Sequence, residues 1–354
     1  MSKKLFAILA VVLAASMILA ACATPTAAPT TAAPKISVCQ VTDTGGIDDK
    51  SFNATAWKGV QDAVTQLGVS GKYLESKEVA DYEKNLNAFL EQKCDLIITV
   101  GFLIGDATKA AAEANPATKF SIVDYSYDPA ITNVVGQVFQ TDEAAFLAGY
   151  VAAGVTKTGK VGTFGGLPIP TVTIFMDGFA RGVAYYNEKH STTVQVLGWD
   201  MNDETKGLFT NSFDDQQKGK DLGVSLMDEG ADIIMPVAGP VGLGTAAAVK
   251  ERGNAYVIGV DADWFLTNPD FASITLTSVM KGMDATTFAV IKSVIDGTFK
   301  GGNTIGTLAN NGVSLAPFHD LDSLVPATLK TELDQVKADI ISGTIKLSPT
   351  FIQK

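Results

Sequence analysis

Residues 35–57 read KISVCQVTDTGGIDDKSFNATAW, and the rest of the chain is organised around them. Ile36, Val38 and Val41, with Cys39 among them, form an apolar run of strand length. Asp43, Thr44, Gly45, Gly46, Ile47, Asp48 and Asp49 then make a glycine turn rich in carboxylates. A helix opens near Ser51 and carries Phe52, Ala56, Val60 and Ala63 on recurring faces. In an open α/β sheet, ligands bind just beyond the carboxyl ends of the strands, so this turn is expected at a ligand cleft. It combines polar groups (Asp43, Asn53) with flat aromatic ones (Phe52, Trp57), as recognition of a small polar ring compound requires.

Working outward, 354 residues with 46% apolar side chains suffice for two domains, each with its own core. A net charge of -11 without a block of Lys and Arg argues against nucleic acid, which needs a basic face. Three cysteines give no disulfide framework. Cys39, inside a strand pattern, and Cys94, just before another, are expected to be buried small apolar residues. A Cys39–Cys94 disulfide is the alternative in an oxidising compartment. With only His190 and His319 in the chain, no histidine-based metal site is expected, and no cofactor is implied.

The N-terminus reads as a targeting segment. Lys3 and Lys4 precede an apolar core, residues 5–20, too short for a comfortable membrane span. It ends at Leu19-Ala20-Ala21-Cys22, which resembles a bacterial lipobox. That resemblance implies a signal peptide over residues 1–21 and lipidation of Cys22, with an ordinary signal peptide or an uncleaved anchor helix as alternatives. Residues 22–35 would then be the lipidated cysteine and a Thr/Ala/Pro tether, flexible and partly extended. The chain contains no later apolar run long enough to span a membrane.

From Ile36 onward, strand and helix patterns alternate in two series, as suits parallel sheets with helices on both faces. The first series runs to the helix starting near Asp142; the second begins with a strand at residues 160–164. The segments after residue 273 are too few for a third sheet and must complete the first two. The expected fold class is therefore α/β, with two doubly wound lobes and a cleft between them. The expected N-terminal lobe is residues 36–141 plus 276–303, and the C-terminal lobe residues 142–275 plus 304–354.

The strand ends bring Asp43 and Asn53, Gly101 and Phe102, Asp124 and Tyr125, residues 165–168, Trp199 and Asp200, Gly239, Asp261, and Lys281 to the cleft. Carboxylates that recur there each accept hydroxyl or amine hydrogen bonds, and Lys281 is a donor facing them. Each has a plainer reading. Asp48 and Asp49 favour a helix N-terminus. Phe52, Phe175 and Phe213 suit a core, Trp57 a core or a cleft wall, and Asp261 with Lys281 an interlobe salt bridge. There is no GxSxG elbow and no GxxxxGK[ST] loop, and the glycines of residues 239–244 lack GxGxxG spacing. Binding is favoured over catalysis.

The stretch VTDTGGIDDKSFNATAW, residues 41–57, resembles the signature of the basic membrane protein (BMP) family of substrate-binding lipoproteins. FMDGFARG (175–182), SFDDQQKG (212–219), GVDAD (259–263) and TSVMK (277–281) follow in the family's order. The resemblance covers residue 36 to the C-terminus. It implies a type I periplasmic binding protein fold with a multi-strand hinge, and a purine-nucleoside receptor of an ABC importer. Its partners would be a permease, an ATPase and the membrane through its lipid anchor, on the extracytoplasmic face, with the receptor itself a monomer. By position it implies a base held between Trp57 and Phe213 with Phe175 nearby, and a base edge read by Asn53 and Asp124. Gly239, Asp261 and Lys281 would hold the ribose hydroxyls, and Asp43 would lie at the same cleft. A receptor of the same fold for a sugar or another small polar signal remains open, as does a membrane-anchored nucleoside-processing enzyme.

Overall fold

The computed structural model describes residues 35–347; the leader, Cys22, the tether to residue 34 and residues 348–354 lie outside the described residues. The first lobe opens with β1 (Ser37–Val41), α1 (Phe52–Leu67), β2 (Ser70–Leu74) and α2 (Asp81–Glu91). It continues through β3 (Leu96–Val100), α3 (Gly105–Ala114), β4 (Lys119–Val123) and β5 (Val134–Phe139). The chain then crosses to α4 (Thr141–Val155), β6 (Lys160–Gly165), α5 (Pro170–His190), β7 (Gln195–Leu197) and α6 (Gln216–Asp228). β8 (Ile233–Val237), α7 (Val241–Arg252), β9 (Tyr256–Asp261), the short α8 (Trp264–Thr267) and β10 (Thr275–Lys281) complete that run. α9 (Met283–Ile295), β11 (Gly302–Gly306), β12 (Val313–Leu315) and α10 (Ala327–Ile341) close the described chain.

These strands make two six-stranded sheets, in the orders β11-β5-β4-β3-β1-β2 and β12-β10-β9-β8-β6-β7. Adding five to the number of each strand from β1 to β5 converts the first order into the second, so the second lobe repeats the first. Every pairing is parallel except β12 against β10. The cause is legible in β3 (LIITV) and β8 (IIMPV), apolar runs buried at every position, as strands covered on both faces must be. β8 leaves β9 after Ile234, and Pro236, which has no N–H to offer a ladder, sits where the pair has parted. Helix α4 is buried on nearly all sides and packs on α5. There a Cβ on Gly182 would come within 2.0 Å of the Phe146 carbonyl oxygen, so only glycine permits that approach.

The lobes are joined at three crossings. The first is at Gln140, between β5 and α4. The second comes later than expected. Thr275–Lys281 is not a first-lobe strand: it pairs with β9, Met280 opposite Asp261, and the chain returns only at Gly282. α9 then docks on the first lobe, where the Thr286 and Thr287 hydroxyls donate to Gln137 Oε1 of β5 (2.5 and 3.3 Å). β11 stays with β5 through Gly306, and the third crossing follows it. Apolar patterning alone cannot tell which sheet a strand joins, since both sheets are covered on both faces. The crossings hold one another: Gln140 N donates to Gly306 O (2.8 Å) and Gly282 N to Gly312 O (2.8 Å).

Cys39 and Cys94 are buried as expected, yet they are not free apolar fillers. They form a disulfide, with Cα atoms 6.1 Å apart, inside the spacing such a bond needs. α2 returns the chain to the start of β3, beside β1, and so sets Cys94 against Cys39. Among the described residues, no helix is long and apolar enough to cross a membrane.

Candidate ligand-binding cleft

The opening turn is built around Asp49. Its carboxylate accepts from the backbone N–H groups of Ser51 (3.0 Å), Asn53 (2.7 Å) and Ala54 (3.0 Å), satisfying donors that α1 leaves open at its first turn. That is the helix-end duty the sequence gives it. Asn53 Nδ2 donates to Asp43 Oδ1 (2.8 Å) and to Asp49 Oδ2 (3.3 Å), and Gly45 N also donates to Asp43 Oδ1 (3.2 Å). Gly101, past the end of β3, takes φ 113°, and a Cβ there would meet Asp43 Oδ2 at 2.5 Å. Both the conformation and the space therefore demand glycine.

At the centre of the cleft sits Lys281, the last residue of β10 and 5% exposed. Its ammonium lies 2.5 Å from Asp124 Oδ2 and 3.5 Å from Asp261 Oδ1. It also stands 4.9 Å from the ring centre of Phe52, 5.1 Å from that of Phe175 and 5.9 Å from that of Phe139. A cation over desolvated aromatic faces is attracted by their quadrupoles. Asp261 and Lys281 share the second sheet, so their contact does not link lobes. The interlobe pair is Lys281–Asp124, joined by the Ser51 hydroxyl, which donates to Val260 O (2.9 Å) and Asp261 Oδ2 (3.3 Å).

The cavity between these strand ends holds about 580 Å³ of empty space, counting the part open to solvent. Asp43, Asn53, Asp124, Phe175, Phe213, Gly239, Asp261 and Lys281, all named from sequence, line it. Trp57 does not. It lies four residues beyond Asn53, about 6 Å further along the helix axis. There it packs edge-on against Tyr73 of the edge strand β2, with ring centres 5.1 Å apart. The aromatic ring that α1 contributes is instead Phe52, expected in the core and found on the cavity wall. Trp199 and Asp200 also miss the cleft: Trp199 Nε1 donates to Asp177 Oδ1 (2.9 Å) and Asp200 pairs with Lys206. Phe102, Thr171 and Ile169 line the wall. The last two sit where α5 begins, a helix start that strand-end reading passes over.

The electrostatics follow from burial. Burial pushes the Asp43 carboxyl up to about 6, against the hydrogen bonds from Asn53 and Gly45. It pushes Asp49 up to about 7, against three backbone donors. Burial also raises Asp124 and Asp261, with Lys281 pulling both back down. For Lys281 burial works against the charge, and the two carboxylates more than offset it, so the amine is held above its ordinary value. One cation shared by two carboxylates leaves the pocket acidic. Four aspartates against one lysine, with Asn53 and Thr171, line a wall otherwise aromatic and aliphatic, suited to a flat ligand rich in hydrogen-bond donors.

The model of the Bmp family, described as ABC transporter substrate-binding protein PnrA-like, matches residues 36–349. The ABC transporter nucleoside-binding protein BmpA of Lactococcus lactis is 31% identical to this chain, over 98% of it and 99% of the relative. Basic membrane protein A of Borreliella burgdorferi is 32% identical over 88% of this chain and 87% of its own. Among solved structures, an ABC transporter solute-binding protein from Aeropyrum pernix K1 superposes with a TM-score of 0.81 at 27% identity, covering 90% of this chain and 94% of that one. The chain belongs to the Bmp family of PnrA-like ABC transporter substrate-binding proteins.

Proposed function

We propose that this substrate-binding protein is a lipid-anchored receptor that closes its two lobes on a purine nucleoside and delivers it to an ABC permease and its ATPase. The observation that carries the reading is the composition of the cleft. Phe52, Phe175 and Phe213 supply flat apolar faces, while Asp43, Asn53, Asp124, Asp261 and Lys281 supply polar groups from both lobes. Stacking of a base on an aromatic ring contributes about 1–3 kcal/mol, and a carboxylate beside a lysine suits a vicinal diol. A relative matched over 99% of its own length bears a nucleoside-binding name. The lipid anchor rests on Leu19-Ala20-Ala21-Cys22 and the uncharged tether behind it.

Closure is the mechanism: a ligand that touches both lobes favours the closed state by its differential affinity, and no covalent chemistry is required. The receptor acts as a monomer in this scheme. Thermal shift across nucleosides, free bases and sugars tests the ligand class. Stabilisation by nucleosides above bases and sugars is expected, and no response to any nucleoside would overturn the reading. Labelling with a radioactive fatty acid tests the anchor, with loss of label expected for Cys22→Ala.

A further inference from the structure

We infer that Ser51 is a closure latch: its hydroxyl holds the two lobes together without touching ligand, and so sets the affinity for every ligand by one common factor. The inference rests on the lobe-closure reading above and names a residue that fixes how readily the lobes meet. Ser51 stands at the N-cap of α1, where a serine hydroxyl ordinarily accepts from the N–H of the second or third helical residue. Here it makes no such bond. Asp49 has taken both places, accepting from Asn53 N (2.7 Å) and Ala54 N (3.0 Å), and from Ser51 N as well (3.0 Å). The serine side chain is thereby released from its own helix. Its backbone stays pinned, because Ser51 O accepts from Thr55 N (3.1 Å).

The freed hydroxyl is spent on the other lobe. It reaches Val260 O (2.9 Å) and Asp261 Oδ2 (3.3 Å) at the end of β9, and Ser51 is 2% exposed there. The acceptor is equally fixed. Val260 O also accepts from Trp264 Nε1 (3.0 Å) and Ala262 N (2.8 Å), and Trp264 is fully buried. Donor and acceptor are each set by their own lobe, so the contact forms when the lobes meet and needs no rearrangement within either. Ser51 is not among the residues that line the cavity, so it is a positioning residue that acts through closure. Apparent affinity is intrinsic affinity scaled by the fraction of protein in the competent state. Loss of the latch therefore weakens all ligands together, by about threefold to tenfold for one net hydrogen bond.

The test compares the full chain with Ser51→Ala, both freed of carried ligand, by calorimetric titration with inosine, guanosine and adenosine and by small-angle X-ray scattering without ligand. The variant is expected to lose affinity for all three by the same factor, or to scatter as a more open particle where the unaltered protein is already largely closed. Should Ser51→Ala fail to fold, Ser51→Gly also lacks the hydroxyl and is well accepted at an N-cap. A loss confined to one nucleoside would overturn the inference, since it would put Ser51 on the ligand. Unchanged affinities together with unchanged scattering would overturn it as well. If no nucleoside binds the unaltered protein, the nucleoside reading falls, and the scattering alone decides the latch.

Discussion

Asp124 and Asp261 are counterparts: each stands at the carboxyl end of the fourth strand of its lobe's series, β4 and β9, in left-handed backbone with φ of 64° and 70°. Asparagine and aspartate tolerate this region better than other side chains. The repeat therefore brings two carboxylates to the cleft from opposite sides, and Lys281 bridges them. One ammonium between two buried carboxylates is an unequal match, and the inequality has consequences.

Lys281→Met would leave two carboxylates buried with no cation. Removing one partner of a buried ion pair costs roughly 3–5 kcal/mol. Asp261→Asn, by contrast, keeps the left-handed backbone and leaves a balanced Lys281–Asp124 pair. We expect chemical denaturation of the ligand-free protein to show a loss of about 3 kcal/mol or more for the first and under about 1 kcal/mol for the second. Equal losses would mean that Lys281 is not balancing both acids.

The pH dependence of stability has a definite sign. Asp43, Asp49 and Asp142 are raised by burial from 3.8 to about 6, 7 and 7. Between pH 4 and 7 the folded protein therefore holds protons that the unfolded chain has released. Stability then rises as pH falls through that window, and the cost of burying these charges is fully present above it. We expect the melting temperature of the ligand-free protein to climb by roughly 2 °C or more from pH 8 to pH 5, about 1 kcal/mol. Nucleoside binding should weaken over the same interval, since Asp43 Oδ1 already accepts from Gly45 N and Asn53 Nδ2 and a proton on the carboxyl takes up the other oxygen.

Most of the cleft could be read from sequence because strand ends are marked by chemistry. A βα series sends the residue after each strand to one edge of the sheet, so Asp43, Asp124, Gly239, Asp261 and Lys281 could be placed without knowing the sheet order. Two things could not be read. Trp57 and Phe52 both stand on α1, and no hydrophobic pattern distinguishes a ring facing the cleft from one facing the edge strand. That depends on how the helix lies over β2, a tertiary matter. Thr275–Lys281 is the other. It is buried at six of its seven positions although only Leu276, Val279 and Met280 are apolar, and its allegiance is set by its ladder with β9. Cys39 and Cys94 were ambiguous for the same reason: a buried thiol and a buried half-cystine share one hydrophobic context.

The disulfide offers a third expectation. Cys39 and Cys94 are 55 residues apart in sequence, and the bond joins them inside the first lobe. By loop-closure entropy a cross-link of that span stabilises by about 4 kcal/mol. The paired substitution Cys39→Ala/Cys94→Ala should lower stability by that order in urea. It should leave nucleoside affinity near that of the unaltered protein, because neither cysteine reaches the cavity.

Phe52 and Trp57 separate a cleft wall from a lobe flank. Phe52 lines the cavity and stands over the Lys281 ammonium; Trp57 lies against Tyr73 and is absent from the lining. Phe52→Ala removes a stacking surface, a loss of ~1–3 kcal/mol, which is roughly fivefold to 150-fold in affinity. Trp57→Ala removes a partly buried ring from the lobe's flank and should lower the melting temperature while changing nucleoside affinity by no more than about threefold. Isothermal titration of both variants with one purine nucleoside reads the difference directly. A larger affinity loss for Trp57→Ala than for Phe52→Ala would return the tryptophan to the cleft and require α1 to rotate when the lobes close on ligand.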